Sequence, residues 1–209
     1  MTNHARLVET SAPTDPAGIV LVLHGGAARR EVRRVSPTQL SVLRMLPVAG
    51  RIARAGRGRL AVFRLLNSSR GWDEGHNPVD DVGWALAQLR ERFGNAPIAL
   101  VGHSLGGRAA ILAGDQPGVR AVVALAPWVY ADDGRRDLYG RSVLVVHGDQ
   151  DRIASPARSR GVADDLRRTT EVTYVSVPGG KHAMLAHHRA FDGAAADFVA
   201  AALLDDVRT

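Results

Sequence analysis

Gly102-His103-Ser104-Leu105-Gly106-Gly107 stands between an apolar run, Ile98–Val101, and a helical pattern, Arg108–Ala113. The pattern is G-x-S-x-G at a strand-to-helix junction. A sharp turn there lifts a Ser Oγ above the end of a sheet, and the flanking glycines let strand and helix pass closely around it. The N-terminus of the following helix also favours negative charge developing nearby. A Gly-rich turn can equally be structural or cradle a phosphate. The strand before and the helix after are the context that a nucleophile needs, and they single out Ser104.

The rest of the chain repeats the alternation around that junction. Ile19–Leu23, Arg59–Leu66, Ile98–Val101, Ala121–Ala126, Val143–Val146 and Val172–Val177 are short and rich in Val, Ile and Leu. Continuous apolar runs of this length suit strands buried on both faces. Amphipathic stretches separate them. Val79–Phe93 puts Val79, Val82, Leu86, Leu89 and Phe93 on one helical face. Pro156–Arg168 begins with Ser155 as N-cap and Pro156 at the first helical position. His187–Leu204 is a further helix. Leu40–Ala55 is a weaker one, because Pro47 and Gly50 interrupt it. Arg6–Thr10 adds one possible edge strand. The expected fold class is α/β, a mostly parallel sheet of about six to seven strands with helices on both faces. No repeat or linker divides residues 1–209, so a single domain is expected.

In such a sheet, ligands bind beyond the carboxyl ends of the strands. After Val143–Val146 comes His147-Gly148-Asp149-Gln150-Asp151. An acid in this place holds the Nδ1–H of a histidine and fixes its tautomer. Asp151 is favoured over Asp149, because it lies further out in the loop and can turn toward a neighbouring strand end. Asp149 instead suits a turn that bonds its own backbone. After Val172–Val177 comes Pro178-Gly179-Gly180-Lys181-His182-Ala183. Of the eight histidines, only His182 follows both Ser104 and the acid at a strand end. His103 adjoins the nucleophile and should point away from it. After the first apolar run comes His24-Gly25-Gly26-Ala27, whose small residues let backbone N–H groups approach an oxyanion. The N–H of Leu105 is one expected donor and that of Gly26 the other, with Ala27 as its alternative. Trp128, Tyr130 and Trp72 follow strand ends on the same side and are candidates for the substrate wall. Trp84 lies in a helical pattern and suits the core.

Taken together, HGG at 24–26, GHSLGG at 102–107, HGDQD at 147–151 and GKHAM at 180–184 resemble the α/β-hydrolases. These elements run in the family's order across about three quarters of the chain. The chain is more closely similar to small bacterial esterase-like and dienelactone-hydrolase-like members. The resemblance implies Ser104 as nucleophile, His182 as general base and then acid, Asp151 as the orienting acid, and Gly26 and Leu105 as the oxyanion hole. It implies a small-molecule acyl substrate, a reaction that needs no metal or organic cofactor, and a rate that rises with pH as His182 loses its proton. Acyl transfer, thioester hydrolysis and perhydrolysis use the same triad, and a non-catalytic binding protein can keep the fold. The stretch Trp128–Gly140 has 13 residues, too few for a lid of several helices. The site is therefore expected to be open.

Composition narrows the alternatives. There is no Cys, which excludes disulfides, thiolate catalysis and Cys-ligated metal. Apolar residues make up 45% of the 209 and charged residues 23%, close to a globular average. No apolar run reaches the roughly 18 residues of a membrane span. The segment Met1–Arg6 does not read as a signal peptide, so a cytoplasmic location is the default expectation. Lys181 is the sole lysine among 27 basic residues, and the net charge is +6. Residues 29–59 hold nine arginines and one acid, Glu31, for a local charge of +8. Such a segment can attract phosphates or an anionic surface. No nucleic-acid motif accompanies it, so a solvated arginine-rich helix face is expected and no nucleic-acid partner.

Overall fold

Seven strands form one sheet in the order β1-β3-β2-β4-β5-β6-β7. They are β1 (Arg6–Ser11), β2 (Gly18–Leu23), β3 (Leu60–Leu66), β4 (Ile98–His103), β5 (Val119–Leu125), β6 (Ser142–Gly148) and β7 (Glu171–Val177). The structure is a computed structural model and describes residues 5–26, 35–72 and 78–204. Among the described residues only β1 is antiparallel, lying along β3 at the edge with Arg6 opposite Leu66. The N-terminal antiparallel part of the sheet is thus a single strand.

The all-apolar runs of β2 and β4 are buried throughout because both faces are covered. Ile19, Leu21 and Leu23 pack into one core with Val82, Leu86 and Leu89 of α3 (Pro78–Phe93) and Ala109 of α4 (Leu105–Leu112). Val20 and Val22 pack into a second core, with Val48 and Ile52 of α2 (Met45–Ala55) and Val199 and Leu203 of α6 (Ala194–Leu204). On the first face α5 (Pro156–Leu166) completes the layer through Val162 and Leu166. Ser155 caps α5 by accepting the N–H of Arg158 at 3.2 Å, with Pro156 following it as the sequence predicts.

Three element boundaries differ from the sequence reading, each for a local reason. The segment predicted as Leu40–Ala55 is two helices, α1 (Leu40–Leu43) and α2, and the break falls at Arg44. Pro47 does not interrupt the helix. It lies in the first turn of α2, where backbone N–H groups lack helical partners in any case. The C-terminal helix starts late, at Ala194, after a π turn over Arg189–Gly193 that takes both Phe191 and Asp192 into the interior. Strand β5 ends at Leu125 because Ala126 has a φ of +41°. Between β5 and β6 the described chain holds one short 3-10 turn, Ala131–Arg135, and no helical lid.

The site follows from the strand order. The chain passes from β2 to β3 on one side and then returns to β4 on the other. The carboxyl ends of β2 and β4 therefore diverge, with Leu23 paired to Gly102 at the crevice. The loop at His24 and the turn at Ser104 both emerge there.

Candidate active site

Ser104 sits at the tip of the turn between β4 and α4, with φ +56° and ψ −121°. A serine rarely adopts this conformation, and the packing around it enforces it. A Cβ on Gly102 would lie 2.0 Å from the carbonyl oxygen of Gly106, and one on Gly106 would lie 2.5 Å from that of Leu23. Close approach of three backbone segments is thus the reason for these glycines. It also starts α4 directly after Ser104, at Leu105, one turn earlier than the sequence pattern indicated.

The three side chains singled out in the sequence meet at the strand ends. The Ser104 Oγ lies 3.0 Å from the His182 Nε2, and the His182 Nδ1 lies 2.8 Å from the Asp151 Oδ2. His182 arrives on the loop after β7, and Asp151 on the loop after β6. The other carboxylate oxygen of Asp151 accepts the backbone N–H groups of Ile153 at 2.8 Å and Ala154 at 2.9 Å. Burial alone would push the Asp151 carboxyl up. Hydrogen bonds from His147, His182, Ala154 and Ile153 outweigh it and hold the group well below the usual carboxylate range. Asp149 turns elsewhere and accepts the Gly179 N–H at 2.8 Å, fixing the start of the histidine loop.

Gly26 and Leu105 line one small pocket beside Ser104, together with His24, Asn67 and Trp72. A Cβ on Gly25 would stand 3.3 Å from that of Ser104, and one on Gly26 would meet the Arg70 carbonyl at 2.6 Å. The alternative donor, Ala27, lies outside the described residues. His24 keeps the loop in place by donating from Nδ1 to the Gly25 carbonyl at 2.5 Å, while its Nε2 accepts the Asn67 N–H at 3.2 Å.

The aromatic candidates divide. Trp128 lines a cleft of about 420 Å³ with Asp151, Arg152, Ile153 and Arg158. Trp72 and Tyr130 instead flank the Arg108 guanidinium, at 4.4 and 4.6 Å from their ring centres. Arg108 is also clamped by the Asp133 carboxylate through bonds of 2.8 and 3.1 Å. This stack braces α4 behind Ser104. Trp72 touches the small pocket on one edge. Trp84 packs against the first core. A second cleft, of about 510 Å³, opens on the far side of Gly26 and is lined by Ser36, Thr38, Gln39, Ser41 and Arg70.

Two supporting groups escape the sequence reading. His103 points away from Ser104, as expected, but its Nε2 donates to the carbonyl of His182 itself at 2.9 Å. Arg44, at the break between α1 and α2, donates to the Ala183 carbonyl at 2.7 Å and pairs with Asp192 at 2.8 Å. The paired side chains are 8% and 2% exposed. At least one member of the arginine-rich segment is therefore a buried strut under the His182 loop and not part of a solvated face. Arg54, Arg57 and Arg59 are exposed as expected, and residues 29–34 lie outside the described residues.

The family model for the alpha/beta hydrolase fold matches residues 66–139. Comparison with curated proteins found no match. Among solved structures, Est1E from Butyrivibrio proteoclasticus has a TM-score of 0.68 at 16% identity, covering 93% of this chain and 92% of its own. XC6422 from Xanthomonas campestris, an α/β serine hydrolase without a lid, has a TM-score of 0.65 at 18% identity, with coverages of 98% and 97%. A putative α/β-hydrolase from Agrobacterium tumefaciens, ATU1826, scores 0.67 at 18% identity, with coverages of 97% and 92%. The chain has the α/β-hydrolase fold.

The chain contains a second Ser-His-Asp series. Ser159 Oγ lies 2.7 Å from the His147 Nδ1, and the His147 Nε2 lies 3.1 Å from the same Asp151 Oδ2. Ser159 is 1% exposed and His147 0%. Ser159 is buried inside α5, with its Oγ 3.0 Å from the Pro156 carbonyl, so it has neither substrate access nor a strained turn. Ser104 is the one at a strand end, next to Leu105 of the small pocket. Among the described residues, no group of three or more His, Asp or Glu side chains has a metal-binding arrangement, and no helix is long and apolar enough to cross a membrane.

Two buried histidines, His24 and His103, are expected to make the stability of the protein depend on pH. Burial first, and the nearby His182 second, push His103 down to about 3. Burial also lowers His24. Unfolded, both take up a proton near pH 6.5. Below that pH the unfolded chain binds more protons than the folded one, so stability falls as pH falls. His103 contributes up to about 1.4 kcal/mol per pH unit below roughly 6.5, and His24 acts in the same direction. Denaturant midpoints should therefore drop between pH 7 and pH 5. His103→Gln, which keeps a donor for the His182 carbonyl but cannot titrate, should show a shallower drop. An unchanged slope in that variant would contradict the assignment.

Proposed function

We propose that the protein hydrolyses small carboxylic esters through an acyl-enzyme on Ser104. The observation that carries this is the continuous series Ser104 Oγ, His182 Nε2, His182 Nδ1 and Asp151 Oδ2, with steps of 3.0 and 2.8 Å, whose Asp151 lines an open cleft. In the reaction, Ser104 Oγ attacks the ester carbonyl as His182 Nε2 takes its proton. Asp151 accepts the Nδ1–H and stabilises the imidazolium that forms. The backbone N–H groups of Leu105 and Gly26 would receive the oxyanion. Collapse breaks the bond to the alkoxide, which leaves with the proton from His182. Water then gives a proton to His182, attacks the acyl group and releases the acid, restoring Ser104.

The two clefts suit the two halves of a small ester. One runs past Trp128 and Asp151 and the other past Gly26 and Ser41. With only a 3-10 turn between β5 and β6, nothing among the described residues resembles the helical cover of an interfacial lipase. Neighbours in fold include Est1E, whose structure with bound ferulic acid has a TM-score of 0.69 at 16% identity, and a carbohydrate esterase from gut microbiota at 0.68 and 16%. Their chemistry agrees with an ester substrate.

The test pairs a fluorophosphonate probe with p-nitrophenyl acetate and butyrate. One covalent adduct per chain, on the peptide containing Ser104, and nitrophenol release are expected. Neither adduct nor turnover, or an adduct on Ser159, would overturn the reading.

A further inference from the structure

Asp151 serves two imidazoles with one oxygen. Its Oδ2 lies 2.8 Å from the Nδ1 of His182 and 3.1 Å from the Nε2 of His147. Its Oδ1 is taken by two backbone N–H groups. His182 faces Ser104. His147, on β6, is fully buried on the other side of the carboxylate and has no part in the proton transfers described above.

Counting protons fixes what His147 does. An ionised carboxylate only accepts, so His147 must present an N–H at Nε2. Its Nδ1 meets the Ser159 Oγ at 2.7 Å, and a neutral imidazole there needs a donor. Ser159 has one proton and two acceptors in reach, this nitrogen at 2.7 Å and the Pro156 carbonyl at 3.0 Å; the nearer takes the O–H, and the carbonyl is left to Tyr174. The Tyr174 hydroxyl donates its one proton to the Pro156 carbonyl at 3.2 Å, and its oxygen lies 3.3 Å from Ser159 Oγ. The network from Tyr174 on β7 through Ser159 on α5 to His147 therefore selects the tautomer that donates to Asp151.

We propose that His147 is a positioning residue for the triad: its Nε2–H, fixed by Ser159, aims Asp151 Oδ2 at His182 and draws off part of the charge that His182 would otherwise feel. This rests on the reading of Ser104, His182 and Asp151 as the catalytic series. Two effects follow. Four donors on one carboxylate leave it no other rotamer. A carboxylate oxygen shared between two imidazole donors, at 2.8 and 3.1 Å, also gives His182 less of its charge than one serving His182 alone.

The charged and titratable surroundings stay the same in each variant below. From the loops they are Asp151, Arg152 and His182. On α5 they are Arg158 and Arg160, the latter lying over the Tyr174 ring at 4.2 Å. On β7 there is Tyr174, on β4 His103, with its ring 4.9 Å from that of His182, and at the α1–α2 break Arg44.

The experiment compares pH profiles of kcat/KM for p-nitrophenyl acetate in wild type, His147→Phe, His147→Gln and Ser159→Ala, with the NMR titration of the His182 imidazole alongside. In His147→Phe, kcat should fall roughly 10–100-fold. Its acid limb should move up by roughly one pH unit. Glutamine places an amide N–H near the imidazole Nε2, so His147→Gln should recover most of both. Ser159→Ala frees the tautomer and should shift the limb in the same direction by a smaller step. A folded His147→Phe with the wild-type limb and kcat would mean that His147 only packs, and would overturn the proposal. If His147→Phe does not fold, an unshifted Ser159→Ala overturns it instead. The NMR titration reads the same shift without turnover. A wild type lacking both esterase activity and a fluorophosphonate adduct would thus refute the hydrolase reading separately.

Discussion

Ser104→Ala is expected to lower kcat for ester hydrolysis by roughly 10⁵–10⁶-fold, leaving only what an oxyanion hole and binding supply. The size follows from the proposed mechanism, in which no acyl-enzyme can form without the Oγ that stands 3.0 Å from His182. The protein should remain folded. Alanine keeps the Cβ packed beside Gly25, and the single hydrogen bond lost contributes about 1 kcal/mol. Alanine is no better suited than serine to a φ of +56°, so the turn is neither relieved nor further strained. Steady-state rates with p-nitrophenyl acetate, together with a melting curve, check both halves. Residual activity within tenfold of wild type, in a folded variant, would show that Ser104 is not the nucleophile. Ser159→Ala provides the internal comparison. It removes the other serine next to a histidine that bonds Asp151, and it should leave kcat within about tenfold of wild type.

The contrast between these serines shows where the sequence was informative. Ser104 was legible because a sharp turn needs glycines, and the glycines at 102, 106 and 107 are visible as letters. The strands were legible because burial on both faces leaves no room for polar residues, and β2 and β4 have none before Gly102. The order of strands was not, since the crossover from β3 to β4 is a property of tertiary packing and not of any segment. Supporting contacts were hidden for the same reason. His103 bonds a carbonyl 79 residues away, and Arg44 pairs with Asp192, 148 residues away. Arg44 was further disguised by its neighbours, because nine arginines in one segment read as a solvated face. An arginine at a helix break, with an apolar pattern on either side, was the signal available. Trp72 and Tyr130 were read as substrate walls because they follow strand ends. Position along a strand does not say that a guanidinium will lie between the rings.

Asp151→Asn is expected to reduce kcat/KM by roughly 10⁴-fold, and the reason lies in what surrounds the carboxylate. All four neighbours of Asp151 are donors: His182 and His147 at Oδ2, Ile153 and Ala154 at Oδ1. An asparagine has one acceptor oxygen and one NH₂, so wherever the NH₂ is placed it faces two N–H groups. If it replaces Oδ2, His182 must turn its Nδ1 lone pair toward the amide and carry its proton on Nε2. That nitrogen then cannot take the proton of Ser104. If it replaces Oδ1, the backbone N–H groups of Ile153 and Ala154 lose their acceptor, and the loop after β6 gives way. Either arrangement leaves buried donors unsatisfied, at about 1–3 kcal/mol each. The variant should therefore be both slow and less stable. Its stability should also change less on acidification below roughly pH 4, because the depressed Asp151 carboxyl confers stability above its unfolded value that is lost as pH falls through it. Adding hydroxide should restore part of the rate, since deprotonation of Ser104 then no longer depends on the histidine tautomer. Rates from pH 6 to pH 10 and denaturant midpoints at pH 3 and pH 7 provide the measurements. A variant with wild-type rates at pH 7 would remove Asp151 from the triad, and with it the basis for a role of His147.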